Sequence, residues 1–111
     1  MLFTQSLKKN YQFRYIYKKG KSFVDKFLVI YIVRNNKKLN QLGISVSKKV
    51  GKSVIRSRVT RLIRESYRLS EERLKKGYDI VIVARPSCNG ASYYEISKSL
   101  KNLLKRHNLY I

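Results

Sequence analysis

Between Lys48 and Arg68 the chain reads KKVGKSVIRSRVTRLIRESYR, so that Lys48, Lys49, Lys52, Arg56, Arg58, Arg61, Arg64 and Arg68 meet a single acid, Glu65. Val54, Ile55, Val59, Leu62 and Ile63 are threaded among these cations, which suits an amphipathic helix with one side for a core. On a wheel of about 100° per residue, Ile55, Val59, Leu62 and Leu69 fall together, with Ile63 at the border. Ser57, Arg61, Arg64 and Arg68 make a stripe on the opposite side, and Arg56 and Arg58 flank the apolar side near the first turn. A fold that buries the apolar side must therefore present the arginine stripe to solvent. Unpaired N–H groups at a helix start, joined by guanidinium groups, receive phosphate oxygens well. The alternative is a merely solvated basic face, and so many cations against one acid weigh against it. The segment points to nucleic acid.

The whole chain carries the same bias, with 26 Lys/Arg against 6 Asp/Glu and a net charge of +20 on 111 residues. Self-repulsion at that density destabilises a compact state until a polyanion neutralises it. A phosphate backbone does so with release of its counterions, so affinity should fall steeply with salt. Disorder is the other reading of high charge, but 43% apolar residues and nine Tyr with four Phe argue for a core. The length fits one domain, residues 1–111. No apolar run approaches the eighteen or so residues of a membrane span, and the longest, Phe27 to Val33, has strand length. No signal-peptide apolar region is found at the start. Cys88 is the only cysteine, which leaves no disulfide and no zinc cluster. These features fit a cytoplasmic protein, with an anionic membrane surface as a weaker candidate partner.

Ser6 to Lys19 reads as a short helix, with Leu7, Phe13, Ile16 and Tyr17 near one another and Gly20 placed to end it. Val24 to Arg34 is β-branched and aromatic and reads as a strand, with Phe27, Val29, Tyr31 and Val33 on one face and Leu28, Ile30 and Ile32 on the other. A further short strand near Lys21 to Asp25 fits the pattern. Asn35 to Gln41 is a polar turn. Leu42 to Ser47 alternates, with Leu42, Ile44 and Val46 inward and Gly43, Ser45 and Ser47 outward. Gly77 breaks the chain after the basic helix, Tyr78 to Ala84 reads as a strand covered on both faces, and Pro86 stops it. Ser92 to Arg106 is a second amphipathic helix whose apolar set is Ile96, Leu100, Leu103 and Leu104. The fold class is α+β, one mixed sheet with helices packed on it.

Three runs carry a resemblance: Phe13-x-x-Ile16-Tyr17-x-x-Gly20, then Gly43-Ile44-Ser45-Val46-Ser47-Lys48-Lys49-Val50-Gly51, then Ile55-Arg56-Ser57-Arg58-Val59-x-Arg61-Leu62-Ile63-Arg64-Glu65. Together with Tyr78 to Arg85 and the last helix, they make the chain similar to the protein subunit of bacterial ribonuclease P over nearly its whole length. The Arg-x-Arg helix start after Ser-Lys-Lys-x-Gly is the most specific piece. The family usually has Asn between those arginines, and Ser57 stands there in this chain. The shorter hydroxyl side chain shortens or removes any contact that the amide makes.

The resemblance implies a single RNA-binding domain in the order α-βββ-α-β-α, with a four-stranded mixed sheet, an unusual left-handed crossover through the basic helix, and a two-layer design like that of some ribosomal proteins. General rules would give a right-handed crossover. It implies that Lys48, Lys49, Lys52, Arg56, Ser57, Arg58, Arg61, Arg64 and Arg68 face the catalytic RNA, and that the cleft between the first helix and the sheet takes the single-stranded 5′ leader of precursor tRNA. Phe13 and Tyr17 are one helical turn apart, so their rings can stand together, either in a core or over such a cleft. The resemblance favours the cleft, where stacking on unpaired bases is worth about 1–3 kcal/mol with little sequence preference. Tyr31 suits cleft floor or packing equally; Ser45 is open between a phosphate contact and solvent, and Ser47 reads as solvated.

Nothing in the residues suggests that the polypeptide performs chemistry. His107 lies in a tail expected to fray. Asp25, Glu65, Glu71, Glu72, Asp79 and Glu95 form no pair with acid–base or metal-ligand logic, and Glu71 and Glu72 read as surface charges. No catalytic residue, metal ligand or protein-bound cofactor is therefore expected, and Mg²⁺ would belong to the RNA subunit. The implied partners are ribonuclease P RNA and precursor tRNA, with a monomeric protein in a 1:1 complex and neither DNA nor membrane. A ribosomal-type RNA-binding protein is the alternative. A DNA-binding protein ranks third, since few Asn or Gln side chains are placed to read base edges.

Overall fold

In the computed structural model, which describes Met1–Ile111, the order is β1 (Thr4–Ser6), α1 (Asn10–Lys19), β2 (Lys21–Val24), β3 (Leu28–Arg34), β4 (Asn40–Ser45), α2 (Ser53–Ser70), β5 (Tyr78–Ala84) and α3 (Tyr93–Arg106). Short 3₁₀ turns lie at Glu71–Arg73 and Pro86–Cys88. The strands form one sheet in the order β1-β4-β5-β3-β2. The apolar strand β5 occupies its centre, antiparallel to β3 and parallel to β4, as a strand covered on both faces must. Gly77 admits the chain to it with φ +98, a conformation that costs glycine little.

The sheet has five strands where four were expected. Thr4–Ser6 pairs parallel with Asn40–Leu42, and the ladder continues as Leu7 N–H donates to the Leu42 carbonyl at 2.9 Å. The first helix therefore starts at Asn10 rather than Ser6. Its entrance is fixed by Gln12, whose Oε1 accepts from the Lys8 and Lys9 backbone at 3.2 and 3.0 Å. Gly20 does end α1, but with φ −76 and not through a left-handed cap. What it supplies is room, since a Cβ there would stand 2.5 Å from the Ile16 carbonyl oxygen.

The stretch from Val24 to Arg34 is not one strand. Asp25 turns it into the hairpin β2–β3 by accepting from Phe27 and Leu28 N–H, both at 3.0 Å. Phe27 thereby leaves the face of Tyr31 and packs against the main core. Asn40, expected in a polar turn, is fully buried and opens β4. Its amide donates to the Lys75 carbonyl and accepts from Tyr78 N–H, each at 3.0 Å, so no polar atom is stranded.

Alternation along β3 and β5 divides the molecule. Leu28, Ile30, Ile32, Ile80 and Ile82 face α2 and α3 in the large core. Val81 faces the other way and meets Leu7 and Ile16 under α1. The helices thus lie on both faces, with α1 a partial third layer over the two-layer unit formed by the sheet with α2 and α3. All four expected apolar residues of α3 are fully buried. Ser92 caps this helix by accepting from Glu95 N–H at 3.1 Å, and Glu95 returns the bond to Ser92 N–H at 3.0 Å.

In α2 the buried arc is Val59, Ile63 and Tyr67, while Leu69 is 60% exposed. Ile63 is thus at the centre of the apolar side and not its border. The arc turns this way because Ser66 and Ser97 hydroxyls bond each other at 3.1 Å between α2 and α3, and Tyr67 reaches Thr4 at 3.0 Å. The C-terminus does not fray. Leu109 is buried, Tyr110 bridges Leu74, and His107 Nε2 lies 2.7 Å from the Ile30 carbonyl.

Candidate RNA interface

Val50, buried to 2% exposure, pins the loop between β4 and α2, so Lys48, Lys49 and Lys52 project from an anchored segment. Ser47 is solvated and its hydroxyl accepts from Lys49 N–H at 3.3 Å. On α2, Ser57, Arg61, Arg64 and Arg68 are exposed, and Arg56 and Arg58 are half-buried at the flank. Arg56, Ser57, Arg61 and Arg64 line a groove with Ser53 and Thr60, whose floor is Ile44 and Val46 of the β4 end.

The arginines are not equivalent. Arg58 Nη2 donates to the Ala91 carbonyl at 2.9 Å, tying α2 to the loop before α3. Arg68 is held by Glu65 at 2.6 Å in the only salt bridge of the molecule. This pairing draws the Glu65 carboxyl below its ordinary range and pushes the Arg68 guanidinium up. Arg56 Nε is buried without a partner, while Arg61 and Arg64 make no hydrogen bond to the protein and are the freest of the set. The one acid of α2, Glu65, is turned onto Arg68 and pairs neither of them.

On the opposite face of the sheet, Phe13 and Tyr17 stand with ring centroids 6.4 Å apart, and Tyr31 meets Tyr17 edge-on at 5.0 Å. Tyr17 is 39% exposed, and Phe13 and Tyr31 are half-buried. The three rings are thus neither core nor free surface, and they form one wall running from α1 to β3. Gly43 makes the arrangement possible, since a Cβ there would lie 2.6 Å from the Phe13 ring. Ser45 follows two residues later, half-buried and in register with Val83, so it points to the same face as Gly43.

Sequence reasoning placed Gly43 on an outward polar face and missed its role. A glycine inside a strand pattern was the available signal of close approach. Likewise, Thr60 and Ser53 gave no sign of lining the groove. The two regions meet at Arg64, which borders the arginine groove and also a hollow lined by Phe13, Leu42 and Gly43.

Five of the six acids are engaged elsewhere, and Glu72 is exposed. Asp25 holds the β2–β3 turn and Ser99 Oγ at 2.6 Å, and Asp79 accepts from Asn35 at 2.9 Å. Glu95 caps α3, and Glu65 pairs Arg68. Glu71 is not a surface charge: it is 2% exposed and accepts from Leu2 and Phe3 N–H at 2.7 and 3.2 Å. Burial raises its proton affinity, but bonds from Thr4, Leu2 and Phe3 outweigh this and leave the carboxyl below its usual range. No three His, Cys, Asp or Glu side chains converge as a metal site, and no helix is long and apolar enough to cross a membrane.

Comparison with known proteins matches residues 1–108 to the family Ribonuclease P. The Ribonuclease P protein component of Clostridium kluyveri is 55% identical over 106 residues, covering 94% of this chain and 95% of that one. Among solved structures, the RNase P protein of Staphylococcus aureus superposes with a TM-score of 0.88 at 34% identity, covering 96% and 97% of the two chains. The RNase P protein from Thermotoga maritima gives 0.84 at 31%, covering 92% and 96%.

Proposed function

This chain belongs to the ribonuclease P protein family, and we propose that it docks on the ribonuclease P RNA through α2 and the loop before it, and receives the 5′ leader of precursor tRNA in the cleft under α1. The observation that carries this reading is the junction at Arg64, where the arginine groove and the aromatic wall share a border. One RNA can neutralise Lys48, Lys49, Lys52, Arg56, Arg61 and Arg64, with Ser57 donating its hydroxyl, while a single strand passes around the sheet edge to Phe13, Tyr17 and Tyr31. Arg58 and Arg68 would join by their remaining donors. Arginine forks take phosphate oxygens two at a time, and ring faces take bases of any sequence. Ser45 would donate to a leader phosphate.

The reaction is hydrolysis of one phosphodiester bond, leaving a 5′-phosphate on tRNA. The chemistry belongs to the RNA subunit with Mg²⁺, since five of this chain's six carboxylates are occupied by its own backbone and side chains and the sixth, the exposed Glu72, has no free acid beside it. The protein contributes selection: mature tRNA has no leader to fill the cleft, so precursor is preferred over product. The complex is cytoplasmic and has one protein per RNA.

The test is binding of the chain, assembled with a bacterial ribonuclease P RNA, to precursor and leaderless tRNA at fixed salt and limiting Mg²⁺. Tighter precursor binding with faster 5′ cleavage is the expected result. Equal binding of the two tRNAs with no gain in cleavage would reduce the protein to a ribosomal-type RNA-binding domain.

A further inference from the structure

Lys98, Lys101 and Lys105 recur at helical spacing along α3, and Tyr94, 70% exposed, begins the same row. At about 100° per residue the four lie within an arc of about 60°. The other side of the helix holds the buried Ile96, Leu100, Leu103 and Leu104, so the row faces solvent, away from the sheet. None of its lysines is ion-paired, because Arg68–Glu65 is the only salt bridge. Glu95 is turned back onto Ser92 N–H, and Asp25 is taken by the hairpin turn and Ser99. At its N-terminal end the row borders a shallow hollow lined by Tyr94, Lys98, Asn102 and Lys26. This surface is distinct from the arginine groove: α3 packs against α2 as well as β3 and β2, but the groove and the hollow beside the row share no lining residue, and the groove lies against the end of β4.

We infer that the outer face of α3 is a second RNA-contacting surface, on which Lys98, Lys101 and Lys105 follow a phosphodiester backbone. The inference rests on reading the chain as an RNA-binding subunit. The seven helical steps from Lys98 to Lys105 carry the three charges along about 10 Å, a distance over which a strand presents several phosphates. Lysines on flexible stems act as point charges and track a backbone without fixed geometry, in contrast to the forked arginines of α2. RNA is favoured over an anionic bilayer because the aliphatic residues of α3 all point inward and only Tyr93 and Tyr94 at its start are exposed, whereas an interfacial helix needs a continuous apolar face to insert.

The experiment measures the affinity of the full chain for ribonuclease P RNA across a salt series, for the wild type and two triple variants of equal charge. One is K98Q/K101Q/K105Q. The other, K37Q/K38Q/K76Q, removes three exposed lysines that lie outside α3. Each lost phosphate contact lowers the log–log salt slope by about 0.7–0.9, so the α3 triple should lower it by about 2 and the control triple far less. Acetylation of Lys98, Lys101 and Lys105 should also slow in the complex. Equal slopes for the two triples, or acetylation as fast in the complex as in the free chain, would overturn the inference. So would a loss of binding to phosphatidylglycerol vesicles by the α3 triple with its RNA slope unchanged. Failure of the leader reading is a separate result: it abolishes the precursor-to-leaderless ratio of the wild type, whereas the α3 triple should keep that ratio while its overall affinity falls.

Discussion

The two faces of the sheet are built from the same alternating strands and to different ends. Under α2 and α3, 19 buried residues close into one core; under α1 only Leu7, Ile16 and Val81 do so, and Phe13, Tyr17 and Tyr31 are left partly wet. The first face supplies stability. The second leaves aromatic area open, which the proposed leader cleft would use, and relies on the first to hold it in place. Closed-core residues and partly open ones can therefore be told apart by which side of a strand they leave, since neighbours such as Tyr31 and Ile32 belong to different faces.

Truncation of the closed face should do most to break this division. Ile82→Ala leaves a cavity in a fully buried layer and should cost about 3–4 kcal/mol, read as a lower denaturant midpoint, with precursor preference intact in the folded fraction. Glu71→Gln comes next, because Glu71 at the end of α2 holds the segment that leads into α1. Loss of a charge-assisted pair of bonds should cost about 2 kcal/mol at neutral pH. The carboxyl is held below its ordinary value, so its contribution is complete above that value and vanishes as pH falls through the lowered one. The melting difference between Glu71→Gln and wild type should therefore shrink in acid, and a difference that stays constant there would remove the charge from the account.

Tyr17→Ala should weaken precursor binding by about 1–3 kcal/mol and leave leaderless tRNA unaffected, while costing only about 1 kcal/mol of stability through its contact with Tyr31. Equal weakening with both tRNAs would show that the wall does not read the leader. The smallest effect is expected from Gly43→Ala, whose methyl displaces the Phe13 ring without removing any aromatic group. About 1 kcal/mol of precursor affinity should go, with a slightly lower midpoint of unfolding because the methyl also crowds Leu7.

Most of the closed face was legible in the sequence because it follows periodicity. Ile96, Leu100, Leu103 and Leu104 of α3, and Leu28, Ile30 and Ile32 of β3, are where their spacing puts them. What failed was whatever depends on a distant partner. Leu7 fits a helical pattern, yet it joins the small core from an extended segment paired to Leu42. Leu69 matches the wheel, but Tyr67 fills the arc instead because Thr4 is there to bond it. Glu71 looked like a surface acid until the backbone of Leu2 and Phe3 was found folded against it. The candidate interface was readable as residue types, since Arg61 and Arg64 stand free as their stripe required. Its continuity around the sheet edge was not, because adjacency of Arg64 to Phe13 and Gly43 is a property of the tertiary fold.

Cys88, the single thiol, sits unexposed within the closed face and donates to the Phe27 carbonyl at 3.1 Å. Burial pushes its pKa up to about 11, so near pH 8 the native chain offers almost no thiolate to an alkylating reagent. Labelling must wait for that side of the sheet to part, after which the thiol reacts with its ordinary acidity. The molecule thus carries its own clock for opening of the core, and the clock is insensitive to movement of α1. Timing the reaction with and without RNA would give the share of binding free energy that reaches through the sheet.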